Sequence, residues 1–383
     1  MTEYFNSELP SIEHLREKAR QRMPKFAFEY LEGGCNSEIN LHRNTADIRE
    51  VQLRPYYIRD YKGSNLKTEL FGETYDAPFG IAPIGLQGLM WPKSCEMLAK
   101  AAHAHNIPFI LSTVGTASIE TVAELTEGKL WFQLYHPAED DLRDKLLERA
   151  AAAGTKVLVI LADTPTFAYR PKEIRNGLSI PPQMNLRNVI QMMLHPTWSF
   201  SQLGAGVPEF KTMSPYIPKG LNLKHLAQFM NRTFSGRLNE DKIKALRDKW
   251  DGKLVVKGIV TEQDAEKVIE LGADGFISSN HGGRQLDAGE STIVPMTNLA
   301  KKYGDKTTVM IDSGLRAGPD VACAMASGAK FTFMGRSFMY GVGAMGSKGG
   351  LHTIGMIKRQ LQQVMEQLAC EKVEDFPNHL IEK

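Results

Sequence analysis

From Phe79 onward the chain alternates between two patterns. Short, continuous apolar runs stop at polar residues, and longer stretches with helical spacing separate them. The runs are FGIAP (79–83), FILS (109–112), LWFQL (130–134), KVLVILAD (156–163), KLVVK (253–257), GFISS (275–279), TVMID (308–312) and FTFMG (331–335). Helical patterning covers Ser94–His105, Ser118–Leu125, Glu139–Ala153, Glu262–Leu271 and Gly318–Ser327. Strands that are apolar throughout are buried on both faces, and helices between them imply a parallel sheet. Eight such units predict an α/β fold of the closed (β/α)8 TIM-barrel type. A doubly wound open sheet is the structural alternative, but no G-x-G-x-x-G follows the first strand.

Two segments stand outside this rhythm. The N-terminal stretch SIEHLREKARQRMPKFAFEYLEGG is helical in spacing, interrupted at Pro24 and stopped at Gly33-Gly34, and predicts a helical extension. About seventy residues separate Arg170 from Glu240, where a barrel loop takes a handful. This predicts an insertion after the fourth strand, Pro181 to Asn239 (about 181–239), within a single domain spanning 1–383. Inside it, Leu186, Val189, Ile190, Met193 and Leu194 fall on one helical stripe, followed by Pro196, Trp198 and Phe200. Such a stripe suits a membrane surface, with Trp198 at headgroup depth, or packing as a lid over the barrel mouth or against a neighbouring subunit. Arg187 is the basic residue beside the stripe, which predicts weak attraction to anionic lipid.

Composition narrows the picture only a little. In 383 residues, 42% are apolar and 23% charged, with a net charge of +2 and no basic footprint for nucleic acid. The four cysteines, Cys35, Cys95, Cys323 and Cys370, are widely spaced and form neither a metal motif nor a disulfide frame. No metal is expected. The opening MTEYFNSELPS lacks the features of a signal peptide, so a cytoplasmic location is expected, with peripheral contact to the cytoplasmic membrane through the insertion.

In a barrel of this kind the chemistry lies at the C-terminal strand ends. Those ends read Pro83-Ile84-Gly85, Ser112-Thr113, Gln133-Leu134-Tyr135, Asp163, Lys257, Ser279-Asn280-His281, Asp312-Ser313-Gly314 and Gly335-Arg336. Polar groups on apolar strands are costly unless paired or used, and eight together point to a site. DSGLRAG after the seventh strand and MGRS after the eighth place glycines and arginines where barrels bind a phosphoryl group.

The run SNHGGRQLD carries the most specific signal. With PKFAFEYLEGG, IAPIGLQG, WFQLY, ADTP, LVVKG, IDSGLRAG and GRSF, nearly the whole chain resembles the FMN-dependent 2-hydroxy-acid oxidases and dehydrogenases. That family includes glycolate oxidase, L-lactate dehydrogenase and mandelate dehydrogenase. The resemblance implies oxidation of an (S)-2-hydroxy acid, L-lactate-like, to the 2-keto acid, with FMN as cofactor and quinone or O2 as electron acceptor. It implies His281 as catalytic base, Asp163 as the acid that orients it, Arg170 and Arg284 as the carboxylate clasp, and Tyr30 and Tyr135 as hydrogen-bonding partners of the substrate. Lys257 is expected at the flavin ring. The remaining flavin contacts are expected at Pro83, Ile84, Gly85, Ser112, Gln133 and Ser279, and those to its phosphate at Asp312, Ser313, Gly314, Arg316, Gly335 and Arg336. The expected assembly is a homotetramer.

These residue types suit that chemistry. Arginine grips a carboxylate through two parallel charge-assisted bonds. Histidine titrates near working pH, and a carboxylate partner stabilises its protonated form. A lysine beside the flavin offsets the negative charge of the reduced ring. Two positions depart from the pattern. Val114 stands where glycolate-oxidase-like members carry tryptophan, which fits the dehydrogenases better, and Leu161 replaces a threonine that reaches the flavin. The competing functions are an oxidase that makes H2O2, a flavin-free phosphate-binding barrel isomerase or lyase, and a non-catalytic flavoprotein.

Overall fold

The computed structural model describes residues 4–178, 183, 185–234 and 236–382. The predicted start of the insertion at Pro181 lies outside the described residues. Eight parallel strands run in chain order as Phe79–Ile81, Ile110–Ser112, Trp131–Leu134, Val157–Leu161, Lys253–Lys257, Gly275–Ser278, Thr308–Ile311 and Phe331–Met334. Each pairs with the next from the second strand to the eighth, and the eighth pairs with the first in the register Thr332 to Phe79. The remaining seam closes through a parallel bridge between Ile81 and Phe109. The sheet is therefore a (β/α)8 barrel, and closure excludes the open doubly wound alternative.

Side-chain alternation divides the apolar residues into two cores. On the fourth strand, Val157 and Val159 point into the barrel with Trp131, Val255, Met310, Phe331 and Phe333. Leu158 and Ile160 point outward, into the layer between strands and helices. A hairpin, Thr68–Leu70 with Glu73–Tyr75, plugs the N-terminal end of the barrel. Its Phe71 ring lies 5.8 Å from Trp131, and Tyr75 lies 5.8 Å from Phe331. With that end filled, the chemistry is left to the other.

The predicted N-terminal extension is two helices, Ile12–Arg22 and Lys25–Glu32, divided at Pro24 as the sequence indicates. Ile39–Arg49, Ile293–Tyr303 and the two helices after the last strand, Arg336–Met345 and Gly349–Leu368, were not marked by the apolar pattern. Ile293–Tyr303 carries Pro295 in its first turn, where a missing N–H costs nothing, so the proline that blurs the pattern does not break the helix.

The insertion forms Leu186–Leu194, Pro196–Ala205 and Leu223–Thr233. Its first helix is inverted relative to a normal surface helix. The polar Asn188 is buried and donates to Asn176 O at 2.9 Å, while Gln191 Oε1 accepts from Phe26 N at 3.0 Å. The apolar stripe faces out, with Leu186 75%, Met193 67% and Leu194 71% exposed, and Phe200 on the following helix is 73% exposed. Trp198 does not belong to that outer face. It is 3% exposed, donates from Nε1 to Met90 O at 2.9 Å and meets Phe26 edge-on at 5.7 Å. The expectation of Trp198 at headgroup depth is thus corrected. The indole anchors the insertion to the barrel because its N–H finds a carbonyl there.

The last two helices cross where neither tolerates a side chain. A Cβ on Gly341 would lie 2.1 Å from Thr353 Oγ1 and 2.7 Å from Gly349 O. Gly341→Ala should therefore destabilise the protein by about 1–3 kcal/mol of overpacking, partly offset by about 1 kcal/mol of helix propensity. A lowered midpoint in thermal or urea unfolding checks this, and an unchanged or raised midpoint would contradict it.

Candidate active site

A cavity of about 1160 Å3 opens at the C-terminal strand ends. Small-molecule sites usually occupy roughly 300–1,000 Å3, so there is space for more than one occupant. Of the residues singled out in the sequence, Tyr30, Pro83, Ile84, Gly85, Ser112, Gln133, Tyr135, Arg170, Lys257, His281, Arg284, Asp312, Ser313, Gly314, Arg316, Gly335 and Arg336 line it. Asp163 and Ser279 stand behind the wall and reach the cavity only through their neighbours. The insertion supplies an apolar side of the same cavity, including Val189, Met192, Leu203 and Phe210.

The strand-end histidine is presented by backbone geometry. His281, Gly282 and Gly283 all have positive φ, at 59°, 68° and 73°. Three left-handed residues in a row turn the chain sharply off the sixth strand, and glycine makes two of them cheap. Gly283 has a second reason to be glycine, since a Cβ there would sit 2.5 Å from Leu41 Cα. Ser313, itself at φ 73°, accepts from Asn280 N at 3.3 Å and Gly282 N at 2.9 Å and holds the turn.

Behind the turn lies a buried ionic cluster. His281 Nδ1 donates to Asp163 Oδ1 at 3.0 Å. Lys257 Nζ is 3.2 Å from Asp163 Oδ2 and 3.3 Å from Asp312 Oδ2, and donates to Ser279 Oγ at 2.7 Å. Ser279 Oγ also accepts from His281 N at 3.1 Å, so its hydroxyl is used within the cluster. Burial favours a protonated Asp163, but the charge of Lys257 and the contact with His281 outweigh it and hold the carboxyl well below its ordinary range. Burial disfavours a charged Lys257, and Asp163 and Asp312 reverse that, so its pKa is raised. His281 goes the other way, because burial lowers its pKa more than Asp163 raises it. The neutral ring keeps its proton on Nδ1 and leaves Nε2 free to accept one. Tyr135, nearby, is pushed up to about 12 by burial and by the charge of Asp163, and stays a phenol.

The two arginines meet from different elements. Arg170 caps the short helix Pro171–Arg175, and Arg284 follows the glycine turn. Arg284 Nη1 donates to Tyr30 O and Gly33 O, both at 2.9 Å, and its guanidinium lies 5.2 Å from the centre of the Tyr30 ring. Arg170 Nε donates to Arg284 O at 3.2 Å, and its Nη2 to Gln285 Oε1 at 3.1 Å. Glu173 joins them, with Oε1 2.6 Å from Arg284 Nη2 and 3.4 Å from Arg170 Nη1. Sequence reasoning missed Glu173 and Gln285. The available signal was electrostatic: two arginines drawn into one buried place need a counter-charge, and Glu173 lies one helical turn from Arg170.

The far end of the cavity carries uncompensated positive charge. Arg336 is buried and donates only to carbonyls, those of Leu31, Gly282 and Gly33. Burial, then the neighbouring charge of Arg316, push it down to about 9. Among the described residues neither arginine forms a salt bridge. Gly335, at the N-cap of Arg336–Met345, adds a helix N-terminus. A dianionic phosphate answers all three features. Midway, buried Gln133 Nε2 has no partner, while its Oε1 accepts from Ser112 Oγ at 2.7 Å. An unpaired buried amide facing a cavity suits the acceptor atoms of a flavin ring. The donor set therefore fits FMN. Asp312 is the exception among the expected phosphate contacts, because its carboxylate is committed to Lys257 and to Ser313 Oγ at 2.9 Å.

Residues 19–383 match the sequence family of FMN-dependent dehydrogenases. The L-lactate dehydrogenase of Vibrio parahaemolyticus serotype O3:K6 is 35% identical over 362 residues, which cover 94% of this chain and 95% of that protein. A putative L-lactate dehydrogenase of Mycobacterium tuberculosis is 34% identical, covering 97% of this chain and 88% of that protein. Among solved structures, the monotopic membrane protein (S)-mandelate dehydrogenase superposes with a TM-score of 0.92 at 33% identity, covering 98% of this chain and all of that one. A mandelate oxidase superposes at 0.82 with 26% identity, covering 98% and 99%.

The cluster around His281 predicts a pH dependence. A base must be neutral to accept a proton, so with His281 in that role turnover should fall as pH drops through its pKa, which lies below the ordinary imidazole value of about 6.5. Asp163 raises that pKa, so Asp163→Asn should move the acid limb of kcat/KM to still lower pH while reducing its plateau. Acid limbs that coincide in the two proteins would show that His281 is not the titrating group.

Proposed function

This chain belongs to the FMN-dependent dehydrogenase family, and we propose that it oxidises an L-lactate-like (S)-2-hydroxy acid and passes the electrons to quinone at the cytoplasmic membrane. The observation that carries the catalytic half is a buried histidine–aspartate pair facing two arginines across one cavity. Arg170 and Arg284 fix the substrate carboxylate. Among the described residues, Arg284 Nε and one hydrogen of Nη2 have no protein partner, so the guanidinium keeps donors for a carboxylate. Tyr30 and Tyr135, both phenols at working pH, hydrogen-bond the substrate beside it. His281 takes a substrate proton at Nε2, and the resulting imidazolium is held by ionised Asp163. FMN, when bound, supplies the two-electron acceptor. Lys257 would lie at its ring, Gln133 and Ser112 at its polar edge, and Arg316, Arg336 and the backbone of Ser313, Gly314 and Gly335 at its phosphate. Pro83, Ile84 and Gly85 form the wall against which the ring packs.

The membrane half rests on the inverted helix. No helix among the described residues is long and apolar enough to cross a bilayer. An outward apolar stripe on a helix whose polar residues are bonded to the protein suits an interface instead. Charge adds to it beyond Arg187. Residues 176–239 hold Arg187, Lys211, Lys219, Lys224, Arg232 and Arg237 against Glu209 alone, a surplus of five in a chain whose total is +2. A basic segment of this size attracts anionic lipid.

Three variants test this function. His281→Gln should keep the flavin and lose about 10²–10⁴-fold in anaerobic flavin reduction, as removal of a general base does. Arg284→Lys should lose nearly as much, since an ammonium cannot form the planar clasp. Wild-type reduction rates in either variant would refute the assigned roles. Replacing Leu186, Met193, Leu194 and Phe200 with serine should release the protein from anionic liposomes and reduce turnover with quinone, leaving turnover with a soluble dye intact. Should the unaltered protein never sediment with liposomes and react with O2 as fast as with quinone, the oxidase reading replaces this one.

A further inference from the structure

Glu173 is placed to do more than steady a helix. Its side chain is 13% exposed, it lines the same cavity as Arg170 and Arg284, and one of its oxygens faces both guanidinium groups. From this arrangement we infer that Glu173 is a specificity-determining residue, the shared counter-ion that makes the carboxylate site select monoanionic over dianionic 2-hydroxy acids. The inference rests on the reading of Arg170 and Arg284 as the carboxylate clasp.

Two guanidinium groups and Glu173 leave a surplus of one positive charge, which a single carboxylate neutralises. Of the other buried cations nearby, Lys257 is matched, 3.2 Å from Asp163 and 3.3 Å from Asp312, and Arg336, which shares the Gly33 carbonyl with Arg284, is matched in the flavoprotein by the phosphate assigned to it and Arg316. Lys172, the next cation along the helix, is held by Glu38 at 2.6 Å. A second carboxylate on the substrate therefore meets no uncompensated positive charge in this part of the site and leaves a buried excess of negative charge, which is costly. The three groups also act together. Burial and the proximity of Arg284 disfavour a charged Arg170, and Glu173 favours it. Glu173 does not exhaust the donors it orients. Each arginine keeps two hydrogens without a protein partner among the described residues.

The test compares two unreactive ligands of equal chain length, 2-oxopentanoate with one carboxylate and 2-oxoglutarate with two. Calorimetric titration of the purified flavoprotein gives both dissociation constants at neutral pH. Wild type should bind the monoanion more tightly. Glu173→Gln, which keeps the shape and removes the charge, should shift the ratio of the two constants toward the dianion by about tenfold or more, since the dianion feels the lost charge twice. Glu173→Ser should shift it in the same direction, which keeps the test open if the glutamine variant does not fold. Glu173→Asp, which restores the charge, should bring the ratio within about threefold of wild type, and turnover of 2-hydroxypentanoate against 2-hydroxyglutarate should follow the same order. A purely structural role would weaken both ligands in parallel, so an unchanged ratio in the uncharged variants overturns the inference. If wild type binds neither ligand, the clasp itself is refuted and the inference falls with it, a result distinct from binding with an unchanged ratio.

Discussion

A lysine ammonium buried between two carboxylates is the interaction on which the rest of the site depends. Lys257 ends the fifth strand, while Asp163 and Asp312 follow the fourth and seventh. A charge stranded there would cost several kcal/mol, so none of the three strand ends can shift alone. The same cluster keeps Asp163 ionised against its burial, and this gives His281 a fixed acceptor and a defined tautomer. Barrel register, histidine orientation and the charge of the cavity thus share one cause.

The N-terminal extension completes the site from outside the barrel. The helix Lys25–Glu32 ends at the cavity, and carbonyls in and just beyond its last turn, those of Tyr30, Leu31 and Gly33, accept from Arg284 and Arg336. Carbonyls at a helix C-terminus have no partner within the helix and carry partial negative charge, so they suit buried guanidinium groups, above all Arg336, which forms no salt bridge among the described residues. The following helix, Ile39–Arg49, braces the glycine turn. Asn44 and Asn280 exchange amide hydrogen bonds at 2.9 and 2.7 Å, and Asp287 accepts from Ser37 N and Asn40 N. These contacts bridge more than two hundred positions of sequence, so the extension is part of the site's rigidity.

The insertion solves a different problem. It must cover the cavity and still present an apolar face outward. Polar Asn188 and Gln191 bond it to the protein, and Trp198 pins it to the barrel, so its stripe of leucine, isoleucine and methionine side chains remains free. Its inner face and the barrel mouth line one cavity, which joins the reacting groups to that apolar exterior.

Much of this was determined locally and was therefore readable in the sequence. Eight strands appeared because a parallel strand buried on both faces must be apolar along its length. The cavity residues appeared because polar groups ending such strands have few other places to go, and the turn at His281 because only a glycine pair passes cheaply through consecutive left-handed conformations. Tertiary structure alone decided which partners meet. The seam between Ile81 and Phe109, the sharing of Glu173 by two arginines and the commitment of Asp312 to Lys257 are contacts between distant elements, and no local spacing encodes them. The direction of the stripe in Leu186–Leu194 was decided the same way. Periodicity gives an apolar face but not what that face turns toward, and Trp198, apolar enough to read as part of the surface, was drawn inward by a free carbonyl at Met90.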